Sequence, residues 1–270
     1  MRSLTVAFST FQESIRQPAF YAILVLGVLL LVFSYLMPTF QLDAGEVKFV
    51  RDIGLGTYTL CILLLGIFSA ANLITSELEN KTAMTVMSKP LRRYEFVLGK
   101  YLGIALSVFF LGALLTAVFV AVIVGKVAGG DIVLQHTTYD AMWPEVAGIF
   151  PGLLLGLLQA LMLVAVSVAL STRLPMILNV SISFAAFILA SVSAPLMDYV
   201  RESGHGMVQI LRAVYYVLPN LSGNTEVYSA IGLGRPVQPG FVAWAVVYSL
   251  LYIVAAIAVA VLLFQDRELG

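Results

Sequence analysis

Six apolar segments of similar length dominate this sequence. They span residues 19–37, 53–74, 101–124, 146–171, 174–196 and 241–264, and none of them contains Asp, Glu, Lys, Arg or His. A helix needs about 20 apolar residues to cross the hydrocarbon core of a bilayer, whereas the strands of a membrane barrel alternate in polarity. The chain is 60% hydrophobic and 11% charged, unlike a soluble domain. The sequence therefore predicts an all-α integral membrane protein with six transmembrane helices.

The segments between these runs are short, so we expect a single polytopic membrane domain over residues 1–270. Apolar residues recur at helical spacing near the N-terminus: Leu4, Phe8, Phe11 and Ile15. This pattern predicts an amphipathic interfacial helix over residues 1–17. The longest outer segment, 197–240, holds an apolar stripe between Met207 and Leu218, which predicts a short outer helix before span six.

Lysines and arginines in the loops predict the orientation in the membrane. With the N-terminus inside, nine of them fall on the inner side and six on the outer side. The dense cluster at residues 89–100 lies between spans two and three and decides the assignment. We therefore expect both termini in the cytoplasm.

Motifs for enzymatic or cofactor chemistry are missing from the sequence. There is no H-E-x-x-H or G-x-S-x-G motif, and a phosphate-binding loop at Gly99-Lys100 would require glycine at Tyr94 and Ser or Thr at Tyr101. The two histidines lie in loops and the single cysteine, Cys61, lies in an apolar run, so we expect no metal site and no cofactor. Charge-free spans also disfavour proton-coupled transport, and a net charge of zero gives no indication of nucleic acid.

Uncharged polar residues inside the spans have two interpretations. Hydrogen bonding between helices is the simpler one, and a weakly polar substrate path is the other. The candidate path-lining residues are Thr57, Thr59, Asn72, Asn179 and Ser183. Other polar residues in the same spans are Ser69, Gln159, Ser167, Ser181, Ser191 and Ser193.

Three glycines recur every four residues in span four, at Gly148, Gly152 and Gly156. Small residues at this spacing let two helix backbones approach closely. We therefore interpret them as a helix-packing surface rather than as chemistry.

The polar segment 75–100 between spans two and three is the most informative part of the chain. Ser76 and Glu79 fit a capping box, which predicts a cytoplasmic helix from Glu77 to Ser88. A turn is expected at Pro90, because the residue before proline disfavours helix. Three basic residues that would reach the inner interface follow it: Arg92, Arg93 and Lys100. Methionines such as Met84 and Met87 would give the helix an adaptable apolar surface.

This segment resembles the coupling segment in the permease subunits of ATP-binding cassette (ABC) transporters of the type-2 exporter family. The resemblance rests on the run from Glu79 to Gly103, with Thr82, Ser88-Lys89-Pro90, Arg93, Phe96 and Leu98-Gly99-Lys100. Lys81 stands where the family often has glycine. The layout of six spans, an N-terminal interfacial helix and a proline break at Leu218-Pro219-Asn220 is similar as well.

The resemblance implies a permease that pairs with a second copy or a paralogue and binds two cytoplasmic ABC ATPase subunits. It implies export driven by ATP that the partner hydrolyses, in a multi-pass protein of the bacterial plasma (inner) membrane. The residues that would couple to the ATPase are Glu77, Glu79, Thr82, Met84, Met87, Ser88 and Pro90. A non-transporting scaffold or assembly factor that docks another cytoplasmic partner remains the alternative, and a membrane-embedded enzyme is disfavoured by the sparse polar groups.

Overall fold

A computed structural model describes residues 2–36, 45–79, 93–128, 142–203, 218–219, 221–233, 235 and 237–265. Within these ranges the chain forms eight α-helices and no strand, which confirms the predicted all-helical class. The helices are α1 (Arg2–Arg16), α2 (Pro18–Leu36), α3 (Gly45–Glu79), α4 (Arg93–Ala128), α5 (Met142–Ser171), α6 (Met176–Ser203), α7 (Ser222–Gly232) and α8 (Pro239–Gln265).

Five of these helices are long and apolar enough to cross a membrane. Their apolar parts are Pro18–Leu36, Phe49–Thr75, Tyr94–Lys126, Val146–Ser171 and Pro239–Phe264. The sixth predicted span, 174–196, is also helical, and its apolar stretch covers Met176–Val192 among the described residues. All six apolar segments are therefore helices, and five of them meet the length requirement for a span.

α3 and α5 form the centre of the bundle. Other helices cover 72% of an apolar stretch in each of them, against 22% in α2 and 17% in α8. The outer helices expose large apolar side chains, including Leu29 on α2, Ile177 on α6 and Trp244 on α8. Apolar surfaces of this extent mark contact with a membrane or with another protein.

The helices α3 and α4 extend well beyond the predicted spans. α3 has 35 residues and α4 has 36, so each is roughly 53 Å long at ~1.5 Å per residue. A hydrocarbon core of ~30 Å accommodates only part of this length. The additional turns carry Arg51, Lys100 and Lys126, which neighbouring helices bury at the ends of the apolar stretches.

One local prediction needs correction. α3 continues without a break to Glu79, so Ser76 is inside a helix and the predicted helix start there is wrong. Tertiary contacts hold the turns of α3 before Ser76, and a capping pattern does not interrupt a helix that is already formed. The predicted outer helix at Met207–Leu218 lies mostly outside the described residues, and a helix that the sequence did not predict, α7, follows Pro219.

The N-terminal helix α1 runs alongside the first turns of α4. Val6 lies against Gly99, Thr10 against Gly103, and Ser14 against Ser107. These contacts advance in steps of four residues on both helices, so α1 and α4 run in the same direction for at least two turns. A helix lying flat across the end of α4 would touch it over a single turn. The predicted helix is present, but it packs along α4 rather than across it.

Small residues allow α1 to approach α4 closely. The variant Gly103→Leu tests this packing. A Cβ at Gly103 would lie 2.5 Å from the carbonyl oxygen of Ala7, so a larger side chain must push α1 away. Overpacking of this kind costs about 1–3 kcal/mol. We expect a lower thermal midpoint for the detergent-purified protein and faster amide hydrogen exchange confined mainly to α1.

Gly148→Leu serves as the matched control, because a Cβ at Gly148 would meet nothing within 4 Å. It should leave both the midpoint and the exchange of α1 unchanged. Equal behaviour of the two variants would contradict the close packing of α1 on α4.

Candidate functional site

The predicted coupling residues cluster around a segment that the structure does not describe. Glu77 and Glu79 lie in the last turn of α3, and Arg93 is the first residue of α4. The other predicted coupling and anchor residues of this segment lie outside the described residues: Thr82, Met84, Met87, Ser88, Pro90 and Arg92. The structure thus gives the two helices that flank this segment. α3 ends, and α4 begins, at the end of the bundle where α1 packs.

A chain of hydroxyl groups joins α1 to both flanking helices. The Ser14 hydroxyl donates to Oγ of Ser107 at 2.9 Å and lies 3.0 Å from Oγ of Ser69. A hydroxyl has a single hydrogen to donate, so Ser69 must donate to Ser14. Ser107 in turn donates to the Ile104 carbonyl at 2.8 Å. All three serines are fully buried, and the chain connects α3, α1 and α4.

Lys100 was expected to extend toward the inner membrane interface, but α1 covers it. Its side chain is only 4% exposed, and its ammonium nitrogen lies 3.9 Å from the Glu13 carboxylate. The same nitrogen lies 5.9 Å from the centre of the Phe96 ring, within the range of a cation–π contact. Phe96 stacks on Phe264 at 5.7 Å, which brings α8 to this end of the bundle. Lys100 therefore takes part in the packing of α1, α4 and α8.

Two of the candidate path-lining residues form a closed hydrogen-bonded group between α5 and α6. Asn179 donates to the Ser167 carbonyl at 3.0 Å, and its own side-chain oxygen accepts from Ser167 at 3.2 Å and from Ser183 at 3.1 Å. Asn179 and Ser183 are fully buried. This group fits the interpretation of hydrogen bonding between helices, next to the short connection at residues 172–175.

A partly open cavity of about 190 Å³ lies between α3, α5, α6 and α7, toward the opposite end of the bundle from α1. Its polar lining comes from Thr59, Gln159, Ser191 and Tyr228. Its apolar lining comes from Gly56, Leu60, Phe187 and Leu221. Of the candidate path-lining residues, only Thr59 is among these; Thr57 is buried in α3 and Asn72 is half-buried.

Thr59 and Tyr228 form the polar edge of this cavity. Their hydroxyl oxygens are 3.1 Å apart, although the residues are 169 positions apart in the sequence. Burial raises the pKa of Tyr228 to about 12, so its hydroxyl is neutral at physiological pH. Sequence reasoning missed Tyr228, because only the unpredicted helix α7 brings it to α3.

The glycines of α5 make room for this pair. A Cβ at Gly156 would lie 2.6 Å from the Thr59 hydroxyl and 3.0 Å from that of Tyr228. A Cβ at Gly152 would lie 2.8 Å from Ile231 on α7 and 3.0 Å from Leu55 on α3. Gly148 faces open space instead. Two of the three glycines therefore allow both α3 and α7 to approach α5 closely.

Arg51 fixes the far end of α7 against α3. Its guanidinium donates to the Ile231 carbonyl at 3.1 Å and is buried at 6% exposure. A cation at the C-terminal end of a helix is favourable, because the helix dipole places negative charge there. α7 is therefore held at Arg51 and at Thr59, two turns of α3 apart, and it closes one side of the cavity.

In the described part of the chain, no three His, Cys, Asp or Glu side chains converge on one point. Cys61 is buried in α3. Both histidines, His136 and His205, lie outside the described ranges.

One protein-family profile matches nearly the whole chain. The profile of the family described as ABC-2 family transporter protein matches residues 4–269. No individual curated protein matches the sequence. The match begins in α1 and extends past α8, so it includes every helix described above. The chain belongs to the ABC-2 family of transporter proteins, as a membrane component of the permease type.

Proposed function

We propose that this protein is the permease of an ATP-driven exporter, acting with two cytoplasmic ATPase subunits and a second permease copy or paralogue. Family membership supports a permease. The sequence has no phosphate-binding loop of its own, so the energy must come from another subunit. Export is proposed because the chain resembles the type-2 exporter group and its predicted outer segments leave no room for a large receptor domain.

The observation that carries this proposal is the way α1 ties together the helices on either side of residues 80–92. The chain from Ser69 through Ser14 to Ser107 links α3 to α4. A push on the segment between these helices therefore reaches α3 and α4 as one packed unit. Since α3 also belongs to the centre of the bundle, movement of this unit reaches the core directly.

Within this proposal, the segment from Glu77 to Pro90 contacts the ATPase. Glu77 and Glu79 stand at the end of α3 and provide negative charge for a basic partner surface. The methionines Met84 and Met87 suit an interface that must adapt during the ATPase cycle. Lys100 lies in the adjoining packing of α1 on α4, where its ammonium nitrogen is 3.9 Å from the Glu13 carboxylate.

A charge reversal at Glu79 tests the docking role. Glu79→Arg should reduce the amount of co-purified ATPase by at least about tenfold, because juxtaposed like charges at an interface cost several kcal/mol. The permease would be expressed together with candidate ABC ATPases of the same genome, and the ATPase in the purified complex measured by quantitative mass spectrometry.

Glu226→Arg is the matched control, since Glu226 is an exposed glutamate on α7, a helix packed at the other end of the bundle. It should leave the complex intact, and both variants should reach the membrane in equal amount. An undiminished complex with Glu79→Arg would contradict the assigned docking segment. Recovery of a partner that lacks an ATPase domain would instead favour the scaffold alternative.

Cysteine labelling tests the proposed orientation. The one native thiol, Cys61, is buried and should react slowly. Gln12→Cys and Glu226→Cys place new thiols at exposed positions near opposite ends of the bundle. A membrane-impermeant maleimide should label Glu226→Cys in intact cells, and Gln12→Cys only after the membrane is permeabilised. The reverse pattern would place the N-terminus outside.

A further inference from the structure

We propose that the cavity between α3, α5, α6 and α7 binds an uncharged hydrophobic molecule through a hydroxyl or carbonyl group. This inference rests on the proposed transport function, because it assigns a substrate class to a site on the permease itself. Four observations carry it: the size of the cavity, the position of its opening, the chemistry of its polar edge and the absence of charge among its described lining residues.

The size of the cavity suits a single ring or a short chain. Its volume is about 190 Å³, somewhat larger than an apolar cavity of ~150 Å³ that binds benzene in another protein. Whole drug-sized molecules occupy pockets of roughly 300–1,000 Å³. The cavity therefore holds one end of a larger amphiphile or the whole of a small one.

The cavity opens at the side of the bundle. Gly56 and Leu60 are its most exposed lining residues, and Leu60 is 37% exposed. Both belong to the apolar stretch Phe49–Thr75 of α3. A Cβ at Gly56 would meet nothing within 4 Å, which shows that the space in front of it is free. A ligand at this opening comes from an apolar environment, so it must itself be largely apolar.

The polar edge offers both donors and acceptors. In the Thr59–Tyr228 pair one hydroxyl hydrogen is used between the two residues, and the other remains for a ligand oxygen. Ser191 donates to the Phe187 carbonyl at 2.9 Å, which leaves the lone pairs of its hydroxyl to accept from a ligand. A hydroxyl on the ligand satisfies either group, and a carbonyl satisfies the donor.

The uncharged lining of the cavity disfavours charged ligands. None of the described residues that line the cavity carries a charge at neutral pH, since a tyrosine phenol such as that of Tyr228 is protonated there. An ammonium or carboxylate group would lose its hydration here and gain no opposite charge, which is costly. The site therefore selects the neutral member of a pair of otherwise similar amphiphiles.

The test uses the full-length permease in lipid nanodiscs and an eight-carbon alkanol that carries a diazirine as the probe. Photolabelling followed by peptide mass spectrometry should show saturable adducts in the peptides that contain Thr59, Phe187 and Tyr228. Unlabelled octanol should compete, whereas octylammonium and octanoate should compete at least about tenfold less well. Unsaturable labelling, or equal competition by the charged analogues, would overturn the inference.

Gly56→Leu places a larger side chain at the opening of the cavity, where an added Cβ would meet nothing within 4 Å. It should lower the labelling at least about fivefold and leave folding intact, because leucine is a better helix former than glycine. Gly148 is another exposed helical glycine, away from the cavity, so Gly148→Leu should label like the wild type. Equal labelling of both variants would show that the probe binds elsewhere.

The double variant Thr59→Val with Tyr228→Phe removes the two paired hydroxyls of the polar edge, leaves Ser191 in place and keeps the shape. Affinity for the alkanol should fall about three- to tenfold, while an alkane diazirine of the same length should bind as before. Loss of both probes would overturn the assigned hydrogen bond. No ATPase is present in these experiments, so their failure leaves the co-purification result with Glu79→Arg unaffected, and the converse also holds.

Discussion

Close packing decides how these helices associate, because lipid chains are as apolar as the side chains they surround. The hydrophobic effect does little to bring one spanning helix to another, and small residues and hydrogen bonds provide the specificity. Close packing at small residues occurs at two places in the structure. Gly99 and Gly103 admit α1 to the side of α4, and Gly152 and Gly156 admit α3 and α7 to α5. Hydrogen-bonded hydroxyls stand beside both contacts.

The two contacts organise opposite ends of the bundle. At one end, α1 holds together the helices that flank the segment assigned to the ATPase, through buried serines and the covered Lys100. At the other end, α7 closes a cavity whose described lining residues are uncharged, and α7 is held by Arg51 and Tyr228. α3 belongs to both ends. The segment proposed to contact the ATPase and the proposed ligand site are thus both connected to α3, one of the two central helices.

Much of the fold was accessible from the sequence, because segment length and charge alone identify membrane helices. The positions of the six apolar helices follow from that. The glycine repeat of span four predicted close packing, which occurs at Gly152 and Gly156, whereas Gly148 faces open space. The ends of the helices could not be predicted in the same way. α3 continues past the capping pattern at Ser76, because its earlier turns are already packed. The cavity was accessible only in part: Thr59 was a candidate, but Tyr228 reaches it from a distant helix that follows a proline break. Asn179 and Ser183 look equally polar in sequence, and only geometry shows that they satisfy each other.

The unbroken course of α3 gives it the properties of a lever. It contains no proline, and Thr59 stands 20 residues from Glu79 on the same rod, a separation of ~30 Å at ~1.5 Å per residue. A tilt of about 5° pivoted near Glu79 would carry Thr59 sideways by roughly 2.6 Å over that length. Such a displacement is comparable with the 3.1 Å that separates its hydroxyl from Tyr228. A tilt of a few degrees at the Glu79 end of α3 is therefore large enough to make or break the Thr59–Tyr228 contact that shapes the cavity.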